Sequence, residues 1–241
     1  LEKINSDLEF EKESTKKEIE LATFVQKSFY RLDIPKLKGW NIKIYNKALM
    51  GVSGDLYDIF YKDEVLQGFG IFDVSGHGIS SGLVTMLVKN IIFQEFLNGF
   101  DKKLEDVMTI INDRIIEEKG QIENYLTGIL VRLNKSKLEI VNAGHPNALI
   151  YRAKTKEVEI VPRCINGNSG AIGIIDLPVD FETVEVKMNK GDFLLLYTDG
   201  ILENMNKNRD QYGLERLINC LKNNIDLPLQ EQIDKIIEDS M

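Results

Sequence analysis

Two apolar runs in this chain each end in an aspartate at a glycine turn. Residues 71–78 read Ile-Phe-Asp-Val-Ser-Gly-His-Gly, and residues 193–200 read Phe-Leu-Leu-Leu-Tyr-Thr-Asp-Gly. Short apolar runs bounded by turn residues are typical of buried strands, so a rigid element holds each carboxylate, Asp73 and Asp199. A third aspartate, Asp55, directly follows a glycine. Because Mg²⁺ and Mn²⁺ prefer oxygen ligands, carboxylates in these places indicate a candidate site for divalent cations.

Each of these aspartates also has a purely structural explanation. Asp73 can cap the helix that we expect to begin near Ser80, and Asp199 precedes a glycine in a common turn dipeptide. Asp55 has the same status, and Asp58 either pairs with a lysine or faces solvent. Taken singly, these segments leave a plain turn and a metal site both open.

The charge and composition of the chain exclude several classes of function. The 241 residues carry a formal net charge of −8, which disfavours nucleic-acid binding because that binding requires cations to neutralise phosphates. The charge does not exclude a phosphorylated substrate, since bound metal ions reverse the local field. No apolar run approaches the ~18 residues that span a bilayer, so we expect no membrane contact by this fragment. The 2 cysteines have no metal-type spacing, and a cytoplasmic location is predicted.

The first 32 residues form a segment of their own. They contain neither Gly nor Pro and are rich in Glu and Lys, which predicts a long helix before Pro35. A seam of alternating three- and four-residue steps is apolar at both ends but polar at Glu11 and Glu18. This pattern leaves two alternatives open. Either the second half, from Leu21 to Leu32, docks on its own domain, or the helix forms a coiled-coil homodimer.

The remaining chain alternates short strands with a few helices, which indicates an α+β fold rather than a doubly wound sheet. The predicted helix at 82–97 is apolar nearly all round and is expected to be buried, whereas the one at 104–118 is amphipathic. Turns are predicted at 134–136, 153–155 and 189–191, the last joining a hairpin, and a loop at 163–180. Further helices are predicted at 213–222 and 228–238, and strands at 41–48, 65–73, 127–133, 137–142, 148–152, 157–161, 183–188 and 192–197.

Several common catalytic arrangements lack support. The only histidines are His77 and His145, with no cysteine nearby, so a zinc site is disfavoured. His145 lies in a predicted turn, where orienting backbone groups is the favoured role over that of a base. No Gly-x-Ser-x-Gly elbow surrounds Ser75, and no phosphate-binding Gly-x-x-x-x-Gly-Lys-Ser/Thr loop is present. The sequence therefore offers no nucleophilic side chain of a recognised type.

Taken together, the segments resemble a known family. The chain is similar to the metal-dependent serine/threonine protein phosphatases of the PPM type, in the bacterial branch named for stage II sporulation protein E. The resemblance covers about residues 20–225, and the order of its motifs is specific although each is modest alone. The matching segments are Val52–Asp58, Phe72–Gly78, Asn142–Pro146, Gly191–Gly200, Glu203 and Tyr212–Leu217.

The resemblance implies a fold and a site. The fold is an α-β-β-α sandwich of two antiparallel sheets flanked by helices and preceded by a long N-terminal helix, with two Mn²⁺ or Mg²⁺ ions at one edge. Asp73 would bridge both ions, and the backbone carbonyl of Val74 would also contribute. Asp199 would ligate the second ion, and Asp55 would be a ligand or hold metal-bound water.

The chain departs from the family pattern at its end. The family closes with an Asp-Asp-Ile-Thr-like strand whose aspartate completes the metal site, whereas this chain stops at Met241, and Asp239 is not in that context. Because the chain also begins at Leu1 rather than Met, we expect a piece of a longer protein, such as the cytoplasmic part of a sensor. The expected division is a linker or coiled-coil-like helix at 1–36 and a phosphatase domain at 37–241 that lacks its C-terminal strand.

The function implied by the resemblance is hydrolysis of phosphoserine or phosphothreonine in a regulatory protein by metal-activated water. The expected substrate is a phosphorylated regulator such as an anti-sigma-factor antagonist in a partner-switching pathway. The N-terminal helix would pass an upstream signal to the site, and a homodimer through this helix is one way to do so. The alternative is a catalytically weak or silent module that binds a phosphoprotein for signalling.

Overall fold

Eight strands and six helices make up the described part of the chain. The computed structural model describes residues 2–30, 34–48, 51–134, 137–165, 169–206 and 208–241. The helices are α1 (Glu2–Ser28), α2 (Ile79–Asn98), α3 (Leu104–Lys119), α4 (Asp199–Leu202), α5 (Gly213–Asn224) and α6 (Leu229–Ser240). The strands are β1 (Asp55–Lys62), β2 (Val65–Val74), β3 (Leu126–Asn134), β4 (Lys137–Ala143), β5 (Leu149–Arg152), β6 (Glu157–Ile160), β7 (Thr183–Lys187) and β8 (Phe193–Leu195).

The strands form two antiparallel sheets whose faces are set by alternation along each strand. The larger sheet has the order β1-β2-β3-β4-β7, and the smaller has the order β6-β5-β8. In β2, Phe72 and Val74 are fully buried with residues of α2 and α3, whereas Phe69 and Ile71 pack in the core between the sheets. Because side chains alternate with a period of two, Asp73 lies on the face that looks toward the smaller sheet.

Three apolar layers hold the sandwich together. Ile91 of α2 and Ile111 of α3 belong to the core that covers the outer face of the larger sheet. Ile129 and Ile150 belong to the core between the two sheets. Leu217 of α5 belongs to the core outside the smaller sheet, which α6 also joins. These layers give the order helix, sheet, sheet, helix, and the predicted α-β-β-α sandwich is confirmed.

The second half of α1 lies on the domain. Ile19 and Thr23 are partly buried, and Gln26 is almost completely buried. The Gln26 side chain donates to the carbonyl of Ser53 at 2.7 Å and toward that of Gly82 at 3.4 Å, and it accepts from the Ser53 N–H at 2.9 Å. The structure therefore agrees with the docked alternative for the described residues of the second half, whereas residues 31–32 of that prediction lie outside the described part of the chain. The homodimer stays a prediction.

Strand β1 is absent from the predicted elements. Its burial does not alternate cleanly, because Asp58, Ile59 and Phe60 are buried in succession. The Asp58 carboxylate is neutralised by Lys89 of α2 at 2.8 Å, which confirms the lysine partner as the correct alternative. The segment has a charged residue in its middle and an irregular register after Phe60, so it lacks the regular alternation from which strands are predicted.

The strand predicted at 41–48 is wrong. This segment has no helix or strand assignment, and no ladder joins it to the described strands. Its alternation is nevertheless real, because Ile42 and Ile44 are partly buried against the apolar cluster of Leu37 and Ile59. The segment thus packs by its side chains without backbone pairing.

The hairpin predicted through the turn at 189–191 is also wrong. Both strands exist, but β7 pairs with β4 in the larger sheet and β8 pairs with β5 in the smaller one. The turn therefore carries the chain from one sheet to the other. Asp192 holds this crossing, since it accepts hydrogen bonds from the Asn189 N–H at 3.0 Å and the Ala153 N–H at 3.1 Å and pairs with Arg152 at 3.0 Å.

Helix α2 is not buried all round as predicted. Val88 and Ile92 are completely buried, but Leu83 is 55% exposed and Leu97 is 39% exposed. The helix covers the larger sheet with one face and leaves apolar residues on the other. Its apolar composition therefore overstates its burial.

The remaining predicted elements agree with the structure to within a few residues, and the turn at 153–155 is confirmed. Helix α4 was not predicted, because its four residues coincide with the expected turn at Asp199. Residues 135–136 and 166–168, from the predicted turn at 134–136 and the loop at 163–180, lie outside the described residues. Among the helices of the described chain, none combines the length and the hydropathy needed to cross a lipid bilayer.

Candidate metal centre

The register of the larger sheet brings two of the predicted aspartates together. Asp55 is the first residue of β1 and is the direct cross-strand partner of Asp73 near the end of β2. Directly opposed residues in an antiparallel pair have Cβ atoms about 5 Å apart and point to the same face. Both carboxylates therefore lie side by side on the face toward the smaller sheet.

The third predicted aspartate comes from the other sheet. Asp199 follows β8 and begins α4, and its carboxyl group is close enough to that of Asp73 to raise the pKa of Asp73. The preceding residue, Thr198, donates its hydroxyl hydrogen to Oδ2 of Asp55 at 3.4 Å. The structure thus places Asp55, Asp73 and Asp199 at one end of the sandwich, where the two sheets meet.

The electrostatics of this group favour a bound cation. Burial raises the pKa of Asp73 to about 7, and the charges of Asp55, Asp199 and Glu203 contribute in the same direction. Burial likewise raises the pKa of Asp55 to about 6, aided by Asp199, while the hydrogen bond from Thr198 opposes the shift. Partly buried carboxylates that repel one another are stabilised when positive charge enters between them.

The backbone beside the carboxylates supplies further oxygen atoms. A Cβ atom added to Gly54 would lie 2.8 Å from the Val74 carbonyl oxygen and 3.5 Å from both Asp73 Oδ1 and the Gly76 carbonyl oxygen. The absent side chain of Gly54 thus leaves a space that three oxygen atoms border, and one of them is the Val74 carbonyl that the family resemblance implies as a ligand. Oxygen donors of this kind suit Mg²⁺ or Mn²⁺, so the residues present fit a divalent ion.

The carboxylates meet in pairs rather than as a tight group. Within the described ranges, no set of three or more His, Cys, Asp or Glu side chains is gathered closely enough to form a ready-made metal site. Backbone carbonyls and water would supply the other ligands, as is usual for Mg²⁺. Asp239 takes no part, because it lies in α6 and pairs with Arg216 at 3.4 Å. This agrees with the sequence analysis, in which Asp239 does not lie in the C-terminal acidic strand of the family pattern.

The loop after β2 is held in place by the segment before β3. The Ser75 N–H donates to the Tyr125 carbonyl at 2.7 Å, and the Tyr125 N–H donates to Ser75 Oγ at 2.9 Å. The Asn124 side chain donates to the Ser75 carbonyl at 2.5 Å. Gly76 and Gly78 have φ angles of 90° and 85°, which side chains rarely allow, so the predicted glycine turn is confirmed.

Three further residues of the site escaped sequence reasoning. Thr198 contacts Asp55, and Glu203 stands one helical turn after Asp199, whose carbonyl accepts from the Glu203 N–H at 2.8 Å. Thr127 of β3 is the direct cross-strand partner of Asp73. The positions of Thr198 and Glu203 inside the matching segments were the available signal for those two. Nothing in the sequence pattern marks Thr127, since its place depends on strand register.

Comparison with known proteins settles the family. Residues 66–241 match the family described as Stage II sporulation protein E. The chain belongs to this family. The family predicted from the ordered motifs is therefore confirmed, and the match runs from β2 through α6.

The chain is also similar in sequence to part of a curated bacterial phosphatase. The chain is 29% identical over 228 residues to phosphoserine phosphatase RsbP of Bacillus subtilis (strain 168), which covers 93% of this chain and 53% of the relative. The chain spans about half the length of the curated relatives it matches.

Solved structures support the fold. The SiaA-PP2C domain of Pseudomonas aeruginosa superimposes with a TM-score of 0.76 at 20% identity, covering 95% of this chain and 90% of that chain. The catalytic domain of the serine/threonine phosphatase PstP in complex with 2 manganese ions superimposes with a TM-score of 0.52 at 14% identity, covering 78% and 84%. These structural similarities show that the chain has a PP2C fold.

Proposed function

We propose that this chain is a metal-dependent phosphoprotein phosphatase that hydrolyses phosphoserine or phosphothreonine in a regulatory protein, such as an anti-sigma-factor antagonist. The observation that carries the proposal is the meeting of Asp55 and Asp73 with Asp199 across two sheets, beside a space bordered by oxygen atoms. The relative named phosphoserine phosphatase supports the reaction type. We place the reaction in the cytoplasm, as expected for a chain with 2 cysteines.

Residues 37–241 form the proposed catalytic domain. Asp73 would hold both ions together with the Val74 carbonyl, Asp199 would hold one of them, and Asp55 would bind an ion or orient its water. Two Mn²⁺ or Mg²⁺ ions, when bound, lower the pKa of water and neutralise phosphate oxygens during in-line displacement.

The side chains around these ligands orient the reactants. Thr198 fixes one oxygen of Asp55, which leaves the other oxygen for an ion or a water molecule. Ser75 is engaged in holding the glycine turn, because its Oγ accepts from the Tyr125 N–H. This agrees with a reaction that needs no nucleophilic side chain and in which positioning and charge stabilisation supply most of the rate.

Hydrolysis of p-nitrophenyl phosphate and of a phosphoserine peptide tests the proposal. We expect turnover with Mn²⁺ or Mg²⁺ and a fall to the background rate after addition of EDTA, because the carboxylates have no catalytic power without the ions. The phosphopeptide should be preferred over a sugar phosphate. Phosphate release that is unaffected by EDTA would contradict a metal mechanism, and preference for the sugar phosphate would contradict a protein substrate.

A catalytically silent binding module remains the second candidate. The pairwise arrangement of the carboxylates within the described ranges is the observation that favours it. This module would bind the phosphoserine peptide in a calorimetric titration and yet release no phosphate at any Mn²⁺ concentration. Release of phosphate from the same peptide would exclude it.

We also propose that the exposed face of α1 forms a homodimer. Phe10, Leu21 and Phe24 are 75%, 64% and 73% exposed. At 100° per residue they lie on the side of the helix opposite the docked Gln26, so they remain available to a second copy. Exposed apolar residues on one face of a long helix favour a helix–helix interface, and the Glu13–Lys17 ion pair lies between Phe10 and Leu21 on this face.

Light scattering at high micromolar concentration measures this association. We expect a dimer mass for the unchanged chain and a monomer mass for Phe24→Asp, because a charge in the stripe opposes its burial. Ile165→Asp is the matched control, since Ile165 is 68% exposed in a loop and should leave the dimer intact. A monomer mass for the unchanged chain would contradict the dimer.

A further inference from the structure

We infer that His145 is a positioning residue that links the two sheets behind the candidate metal centre and sets the separation of Asp73 and Asp199. One side of its ring contacts Thr127, next to Asp73 in the larger sheet. On the other side, Nε2 is buried without a hydrogen-bond partner among the described residues, and the Tyr197 backbone, which leads into Asp199 from the smaller sheet, acts on the pKa of the ring. The catalytic meaning of this link rests on the proposed phosphatase function, whereas the link itself does not.

The first contact connects the ring to the strand beside Asp73. Thr127 is the direct cross-strand partner of Asp73, so both side chains point to the same face. Oγ1 of Thr127 lies 2.9 Å from Nδ1 of His145, which is the distance of a hydrogen bond. A shift of the ring would therefore displace Thr127, the residue directly beside Asp73.

The backbone of His145 is fixed from several sides, which gives the ring a defined position. The Asn142 side chain accepts from the His145 N–H at 2.8 Å and donates to the His145 carbonyl at 3.0 Å. Arg163 donates to the same carbonyl at 3.2 Å. Gly144, with a φ of 69°, forms a bridge with Gly128 of β3. Neighbouring side chains therefore hold the backbone of this turn, which gives the ring a fixed point of attachment, whereas an ordering of backbone groups by the ring itself stays a prediction.

The second contact faces the strand that leads to Asp199. The ring is completely buried, and burial lowers the pKa of His145 to about 4, with the Tyr197 backbone carbonyl acting in the opposite direction and Arg163 adding to the lowering. Nδ1 is engaged by Thr127, so Nε2 is the atom left to face this carbonyl. In the described part of the chain Nε2 makes no hydrogen bond of standard geometry. A buried nitrogen with no better partner is expected to donate to the carbonyl.

These contacts fix the protonation of the ring. At neutral pH the imidazole is uncharged and carries one N–H. A backbone carbonyl can only accept, so the hydrogen belongs on Nε2, and Nδ1 then accepts from the Thr127 hydroxyl. The chain of contacts runs from the strand beside Asp73 through one rigid ring to the segment two residues before Asp199. Polar partners behind metal ligands typically change metal affinity 10- to 100-fold.

Thr127→Val and His145→Leu test the link while keeping side-chain volume close to the original. Mn²⁺ affinity is measured by isothermal titration calorimetry without substrate, and thermal midpoints are measured in EDTA. We expect about 10- to 100-fold weaker Mn²⁺ binding for both variants. Thr183→Val is the matched control. Thr183 lies in β7, the edge strand of the larger sheet, and its hydroxyl donates to Glu105 of α3. Loss of this hydroxyl should leave Mn²⁺ affinity unchanged.

A merely structural role would lower the thermal midpoints of the Thr127 and Thr183 variants alike and leave both affinities near that of the unchanged chain. Affinities within about 3-fold for Thr127→Val and His145→Leu would therefore overturn the inference. His145→Gln can restore a donor near Nε2, and His145→Asn can restore an acceptor near Nδ1. Each should recover part of the affinity lost in His145→Leu.

Nitrogen-15 NMR of the metal-free chain tests the link independently of phosphatase activity. The chain has only 2 histidines, so His77→Asn leaves a single imidazole to assign to His145. We expect a slowly exchanging Nε2–H tautomer whose Nδ1 resonance shifts in Thr127→Val. An Nδ1–H tautomer, or an averaged ring that ignores the Thr127 change, would overturn the inference. Failure of the phosphatase assay with the expected NMR result would overturn the proposed function alone.

Discussion

Replacing Asp73 with asparagine is expected to abolish Mn²⁺-dependent phosphate release while raising the thermal midpoint of the metal-free protein. Asp73 is the cross-strand partner of Asp55, and both Asp55 and Asp199 raise its pKa, so we expect it to be the carboxylate shared by two ions. Its removal takes away the shared ligand, and a carboxamide cannot supply the lost charge. Turnover should fall to the rate measured in EDTA.

The expected gain in stability follows from the same electrostatics. Burial and neighbouring carboxylates raise the pKa of Asp73 to about 7, above its ordinary value of 3.8. A carboxyl group whose pKa is raised by folding opposes folding once the pH exceeds its unfolded value, so the ionised group destabilises the metal-free state. Asparagine removes that penalty. Each kcal/mol gained raises the midpoint by about 2–4 °C in a domain of this size.

Asp101→Asn is the matched control. Asp101 is exposed at the start of the loop before α3, where its neighbour Lys102 lies 3.6 Å away. The control should change neither turnover nor the midpoint. Phosphate release by Asp73→Asn at the rate of the unchanged chain would remove Asp73 from the metal site. A lower midpoint in EDTA would show that its charge is already compensated.

The candidate site was more predictable than the topology around it. Asp73 and Asp199 were found because each ends an apolar run, and such runs remain visible without knowledge of partners. Asp55 precedes a strand that the pattern concealed, since the buried Asp58 looks like a surface residue until its contact with Lys89 is known. Its role came from the resemblance, and the register with Asp73 explains it.

The pairing of strands depended on contacts that local sequence does not encode. The turn at 189–191 has the residues of a hairpin, yet β7 and β8 join different sheets. Their partners are β4 and β5, which are distant from them in the sequence. Thr127 was missed for the same reason, because only the β2–β3 register places it beside Asp73. Cross-strand neighbours belong to the tertiary structure, and so they escape a reading of one strand at a time.

A short series of hydrogen bonds connects the docked end of α1 with Asp55 of the candidate metal centre. Gln26 holds both backbone groups of Ser53, and Ser53 Oγ accepts from the Asp55 N–H at 3.1 Å. Tyr30, just beyond the helix, donates its hydroxyl hydrogen to the Asp55 carbonyl at 2.8 Å. We propose that a movement of this end of α1 would be passed through these hydrogen bonds to the main chain of Asp55, and that the helix regulates the candidate site in this way.

Gln26→Leu is expected to detach this end of α1 and to weaken both stability and Mn²⁺ affinity. The Ser53 N–H loses its acceptor, and the Ser53 carbonyl loses its donor at 2.7 Å. The Thr85 hydroxyl, 3.3 Å from that carbonyl, has one hydrogen and lies closer to the Ser81 carbonyl, at 2.7 Å. A buried donor left without a partner costs about 1–3 kcal/mol, which urea unfolding would detect. Asp55 should then be held less firmly, so calorimetry should show weaker Mn²⁺ binding.

Gln230→Leu separates this effect from the general cost of losing a glutamine. Gln230 is exposed on α6 and donates to Asp234 at 3.1 Å, far along the chain from the metal ligands. Its replacement should leave both measurements unchanged. If Gln26→Leu lowers stability but binds Mn²⁺ as tightly as the unchanged chain, the helix is held by Gln26 without being coupled to Asp55. Removal of the exposed Gln230–Asp234 contact should cost little stability. Equal losses of stability and Mn²⁺ affinity in both variants would therefore contradict a specific role of Gln26.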